Sequence, residues 1–143
     1  MVEEVVVDRT QRQLLRRAGG VFLAGFVVHN LDHVRRGIDA ISDAVVWGGT
    51  VVAIVSAITL TLVFTDHRLA PFAATAAGFS IAAGVSATHL LPAWGTLSDS
   101  LPDGSVDAFT WFAVLAEVIG ALVLGVAGLH VVRRLGFQPA APA

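Results

Sequence analysis

The chain contains no cysteine and no lysine, and charge of either sign is scarce. Without cysteine there are no disulfides, no thiolate metal sites and no cysteine nucleophile. All nine basic residues are arginine, a bias that reads as codon composition rather than chemistry. Only 14% of the 143 residues are charged and the net charge is -2, so the chain lacks the basic surface that phosphate neutralisation requires. No nucleic-acid partner is expected. Apolar residues make up 55% of the chain, and the mean hydropathy is +0.76. Those values lie far outside the range of a soluble domain and imply an integral membrane protein whose first partner is the lipid bilayer.

Four apolar segments follow one another, each near the 20 or so residues needed to cross about 30 Å of hydrocarbon at 1.5 Å per residue. Their expected bounds are 14–33, 44–64, 71–91 and 109–132. The fold expected is therefore an all-α, four-helix membrane bundle over 14–134, with a cytoplasmic N-terminal segment at 1–13 and a flexible tail at 135–143. The second segment carries no charge. The third opens with Pro71, tolerated in a first helical turn, and is closed by Pro92. Asp107 is placed to cap the fourth. The first is the least hydrophobic, and it spans only if Arg16 and Arg17 snorkel at one end and polar residues are admitted at the other. Acidic residues precede the arginines of 1–13 and no small-residue cleavage pattern follows, so 1–13 is not read as a secretory signal and the first span reads as an uncleaved helix.

Four spans put Arg9, Arg12, Arg16, Arg17, Arg68, Arg133 and Arg134 on one side and only Arg35 and Arg36 on the other. The positive-inside rule then places both termini in the cytoplasm of a cell with the protein in its inner (plasma) membrane.

The chemistry concentrates at the outer side. "HNLDH" closes the first segment, where His29 and His33 stand one helical turn apart and Asp32 borders their face. Two imidazoles at that spacing are a common helical way of holding a divalent metal, and a carboxylate can ligate or orient an imidazole through its second nitrogen. The third segment ends outward with His89, a third candidate ligand. Helix 4 returns inward with Asp107, Thr110, Val114 and Glu117 on one face, and Glu117 lies about 15 Å below Asp107, near mid-membrane. An ionised carboxylate at that depth needs a partner or a proton. The long connection 92–107 carries Trp94, Ser98, Asp99 and Asp103 and has the length of a lid or binding loop.

The expected site thus comprises His29, His33 and His89 as metal ligands, Glu117 and Asp32 as acid-base groups, and Trp94, Asp99, Asp107, Thr110 and Trp111 as pocket lining. Taken singly, Asp32, His33 and the neighbouring arginines also fit a satisfied interfacial network. His67 and His130, at the inner side, read as solvated. Three function classes stay open: a membrane protein binding a metal or lipid-soluble ligand and acting on it, a haem-binding electron carrier or proton or metal transporter, and a non-catalytic subunit that docks a membrane-protein partner. A divalent metal ranks ahead of haem as cofactor. Small residues repeat on helix 3 (Ala74, Gly78, Ala82 and Ala76, Ser80, Gly84), which marks it as the packing centre, while Gly128 on helix 4 is a candidate contact for a second copy in a homo-oligomer.

Overall fold

The structure is a computed structural model that describes residues 7–37 and 41–136. Residues 1–6 and 137–143, which belong to the expected terminal segment and tail, lie outside the described residues. The described chain is all helix and turn: α1 (Arg9–Arg36), α2 (Asp43–Phe64), α3 (Ala70–His89) and α4 (Ala108–Gly136). Three of them, α2, α3 and α4, are long and apolar enough to cross a membrane, with mean hydropathies of 2.0, 1.3 and 2.3. That is the mark of a membrane protein. α1, with charged first turns and a polar last third, is not among them.

Local signals explain where each helix starts and stops. Asp8 accepts from the Gln11 N–H while the Gln11 side chain accepts from the Asp8 N–H, a reciprocal capping box that starts α1 five residues before the expected apolar span. Gly37, at φ 93°, ends it. Ser42 caps α2 through the Val45 N–H. Asp66, at φ 55°, turns the chain between α2 and α3, and its carboxylate receives Arg16. Pro71 sits in the first turn of α3. The Asp107 carboxylate accepts from the Thr110 N–H at 3.0 Å, the capping role its position suggests.

α4 is the central helix, and α1 and α3 pack closely along it. Glycines set those approaches. A Cβ on Gly25 of α1 would lie 2.4 Å from the Ala116 carbonyl of α4, and one on Gly120 would lie 2.8 Å from the Phe22 Cα. On the other side, a Cβ on Gly78 of α3 would meet the Gly125 nitrogen at 2.4 Å. The packing centre is thus α4 rather than α3, because α4 presents small residues to two neighbours at once. Of the two small-residue rows on α3, Ala74, Gly78 and Ala82 are buried, whereas Ala76, Ser80 and Gly84 are exposed. Gly128 is taken up within the chain: its Cβ would fall 2.6 Å from the Thr75 nitrogen, so this glycine serves α3 rather than a second copy.

α2 is peripheral. It buries Val45, Ser56, Thr59, Leu60 and Val63 against the other helices and exposes Trp47, Val51, Ile54 and Ile58. Its first half stands away from α1 and α3, leaving a cavity at the end of the molecule where α1 and α3 finish. We call this the histidine end.

The connection from α3 to α4 closes over that end and is pinned in place. Asp99 and Leu101 donate their backbone N–H groups to the carbonyls of Thr88 and His89, Trp94 Nε1 donates to the Ala87 carbonyl, and Ser42 Oγ donates to the Thr96 carbonyl. Asp103 accepts from the Ala93 N–H at 2.6 Å and from Ser100 Oγ at 2.9 Å. Those bonds, the Ala93 one foremost, hold its carboxyl below the usual carboxylate value. A depressed folded-state pKa contributes stability above the unfolded value of about 3.9 and loses it as pH falls through the lower folded value. The Ala93 amide resonance should therefore stay constant down to about pH 4 and move only below it. Titration at higher pH would show that the bond is absent in solution.

Candidate metal centre

His29 and His33 reach the histidine end from one face of α1, one turn apart, and His89 reaches it from the last turn of α3. Each of the three imidazoles offers a ligand atom, and these atoms lie within 4.8 Å of one another. Ring centroids are 4.6 Å apart for His29 and His33, 4.8 Å for His29 and His89, and 5.5 Å for His33 and His89. His29 and His89 are almost wholly buried, at 4% and 3% exposure, and His33 is partly so.

The second nitrogens decide what each ring can do. His29 Nδ1 pairs with the Glu117 carboxylate of α4, itself 2% exposed. His89 Nδ1 donates at 3.1 Å to the Asp99 backbone carbonyl, which can only accept. Both rings therefore carry their proton on Nδ1 and leave Nε2 with a free lone pair, the form in which histidine ligates a metal. His29 Nε2 is buried and has no protein partner. An unpartnered buried nitrogen costs free energy unless something binds it.

His33 is different. Its Nδ1 lies 3.1 Å from Arg36 Nη2, which can only donate, so the neutral ring holds its proton on Nε2. For Nε2 to ligate a metal that proton must move to Nδ1, and Arg36 must release the contact. Arg36 has other partners in that case: its Nη2 donates to Asp99 at 2.9 Å and its Nε stands 3.2 Å from Asp32.

Asp32 is fully buried and held by two arginines, with Arg35 at 2.8 Å and Arg36 at 3.2 Å. Arg35 also reaches Asp107 at 2.8 Å and the Thr110 hydroxyl at 3.1 Å. This network ties the end of α1 to the start of α4 and commits Asp32 to ion pairs. Outside the apolar spans, the Asp107 carboxyl is held below its usual range, first by the Thr110 N–H and then by Arg35.

The imidazoles face a cavity of about 540 Å³ between α1, the first half of α2 and the last half of α3. Its lining includes His29, His33, His89, Glu117 and Trp94. Asp107 and Thr110 stand outside it in the Arg35 network, Trp111 packs against the core, and Asp99 braces His89 from behind. His67 and His130 are exposed and away from the centre.

No protein-family model matches the chain. No curated protein and no solved structure is similar to it either. The reading of this centre therefore rests on its own geometry.

Two contributions are absent from the sequence reading. The pairing of Asp32 with Arg35 and Arg36 was expected as a surface network; what the sequence did not show is that Asp32 is wholly buried and that both arginines hold it at once. α2 supplies much of the cavity wall through Val45, Gly48, Gly49, Val52 and Ala53, with Thr50, bonded to its own helix at the Val46 carbonyl, as its one polar residue and no charge to advertise it.

Glu117 offers a direct test of the His29 tautomer. Glu117→Gln keeps a carbonyl oxygen to accept from Nδ1 and should leave thermal stability nearly unchanged. Glu117→Leu strands a buried N–H and should cost about 1–3 kcal/mol in an unfolding titration. Equal stability of the two variants would show that the pair contributes nothing.

Proposed function

We propose that the chain is a four-span protein of the plasma membrane, with both termini in the cytoplasm, that binds a divalent metal at His29, His33 and His89 on the extracytoplasmic side and presents it to a lipid-soluble ligand. The observation that carries this reading is the pair of buried imidazoles held by Glu117 and the Asp99 carbonyl with Nε2 free, beside a third ring and an open cavity. Three nitrogen ligands with a fourth position open is the arrangement of zinc centres that handle a ligand, and the Glu117–His29 pair orients the ring and raises its basicity. A zinc ion held by these residues would supply Lewis-acid character facing the cavity.

α1 serves as the fourth span because two polar residues of its last third are turned inward and exposed Asn30 returns its amide to the Phe26 carbonyl. His29 and Asp32 are buried, while Val21, Leu23, Val27, Leu31 and Val34 are exposed. A helix of 28 residues is about 42 Å long, more than the hydrocarbon core requires. Haem has less support, since a macrocycle between His29 and His89 would have to part rings whose centroids are 4.8 Å apart.

Elemental analysis of the full chain purified in detergent tests the metal, with about one divalent ion per protein expected and no Soret band. Reporter fusions test the orientation: tags on both termini should read cytoplasm, and one in the 92–106 loop the exterior. A folded protein that takes up no divalent ion would overturn the metal reading, and an exterior C-terminus would overturn the orientation.

A further inference from the structure

The cavity before the imidazoles, about 540 Å³, falls within the roughly 300–1,000 Å³ usual for small-molecule sites. Its wall has two parts. His29, His33, His89 and Glu117 form one, and the rest is largely apolar, including Phe26, Val45, Val52, Ala53 and Val85. Along α2 the lining descends from Val45 to Ala53, about 12 Å of helix. Among the described lining residues Glu117 is the one acidic side chain, and no arginine is present. Gly49 on α2 and Gly84 on α3 are exposed on the rim, inside helices apolar enough to span a membrane. The cavity is therefore open at the level of the apolar segments.

A divalent ion on three neutral imidazoles, with the Glu117 carboxylate beside it, leaves one positive charge facing the cavity. One negative charge would balance it, and the remaining wall would receive a chain without further polar groups. We infer, resting on the metal reading above, that the occupant is a single-chain monoanionic amphiphile of the fatty-acid class. Its carboxylate takes the open position on the metal, and its tail lies along the apolar face of α2.

The test uses the full chain in lipid nanodiscs loaded with cobalt(II), whose visible absorption reports its ligands. Laurate should change the cobalt spectrum at concentrations where acetate, which has the head without the tail, and dodecanol, which has the tail without the charge, do not. Gly84→Leu should keep cobalt but weaken the laurate response about tenfold or more, because the new side chain takes the room of several methylenes. A Cβ at Gly84 meets nothing within 4 Å, so the new side chain starts into open space, and circular dichroism beside the cobalt spectrum checks the fold. If cobalt binds but laurate leaves its spectrum unchanged, or acetate and dodecanol act as well as laurate, the amphiphile inference is overturned and the metal reading stands. If the folded protein binds no cobalt, both fall.

Discussion

His89→Ala should abolish metal retention, lowering affinity by about 100-fold or more, while the helices and the purified yield remain intact. Changing a group that merely orients a ligand costs about 10–100-fold, and removing the ligand itself must cost at least that much. His89→Ala is the cleaner of two variants, because the ring's partner is a backbone carbonyl at 3.1 Å that loses a single bond. His29→Ala should lose the metal equally but also strand the buried Glu117 carboxylate, so its thermal midpoint should fall as well. The double variant should add little, since either change already destroys the site. His67→Ala and His130→Ala, both exposed, should retain the ion. Metal-to-protein ratios, read beside circular dichroism, decide the matter, and full retention in His89→Ala would falsify the three-histidine centre.

The largest effect on folding is expected from a single methyl group. Gly78→Ala places a Cβ 2.4 Å from the Gly125 nitrogen, 2.6 Å from its Cα and 2.7 Å from the Ala121 carbonyl. All three are backbone atoms, so α3 must back away from α4 and lose contact along its length. A loss of about 1–3 kcal/mol is expected, at the upper end because no side chain can turn aside. Gly25→Ala should be as costly, with the Ala116 carbonyl at 2.4 Å and the Glu117 Cα at 2.9 Å, and it should also loosen the metal because the displaced backbone carries Glu117. Gly49→Ala and Gly84→Ala add a methyl to open space and should be neutral or stabilising by about 0.5–1 kcal/mol, the ordinary helix preference for alanine over glycine. Thermal or denaturant unfolding of the four variants separates close packing from propensity. A Gly78→Ala protein as stable as the parent would mean that α3 and α4 do not approach as described.

The residues that made the histidine end legible did so through chain geometry. The i, i+4 spacing puts His29 and His33 on one face whatever else the helix does, and an alternating course of four helices brings the ends of α1 and α3 to the same side, His89 included. Glu117 was legible from its cost, since a carboxylate at that depth must find a partner, and its partner is His29. Hydropathy marks apolar stretches rather than helix ends, which is why α1 extends beyond 14–33 through a capping box at one end and paired arginines at the other. Asp32 could not be assigned from sequence alone: the same spacing to Arg35 and Arg36 occurs on solvated helices, and burial distinguishes the two cases. The part played by α2 was invisible because a cavity wall of glycine, alanine and valine with one threonine reads the same as a lipid-facing surface. The central position of α4 was hidden for a related reason, since small-residue rows on two helices do not say which one has two neighbours.

That central position has a consequence for biosynthesis. α4 is the last of the four helices in chain order, yet it is the surface on which both α1 and α3 rest. Translation runs at about 5–20 residues per second, so for some seconds the first three helices exist without the one that joins them. During that interval His29 lacks Glu117, and α1, which is not among the helices apolar enough to cross a membrane, lacks the partner that covers its buried polar face. α1 must therefore settle late, after α4 arrives, although it emerges first from the ribosome. A nascent chain arrested between α3 and α4 would be loosely held and open to membrane proteases. On the metal reading proposed above, capture is the final event of assembly, and a pulse of radioactive zinc should label completed chains and none of the shorter ones.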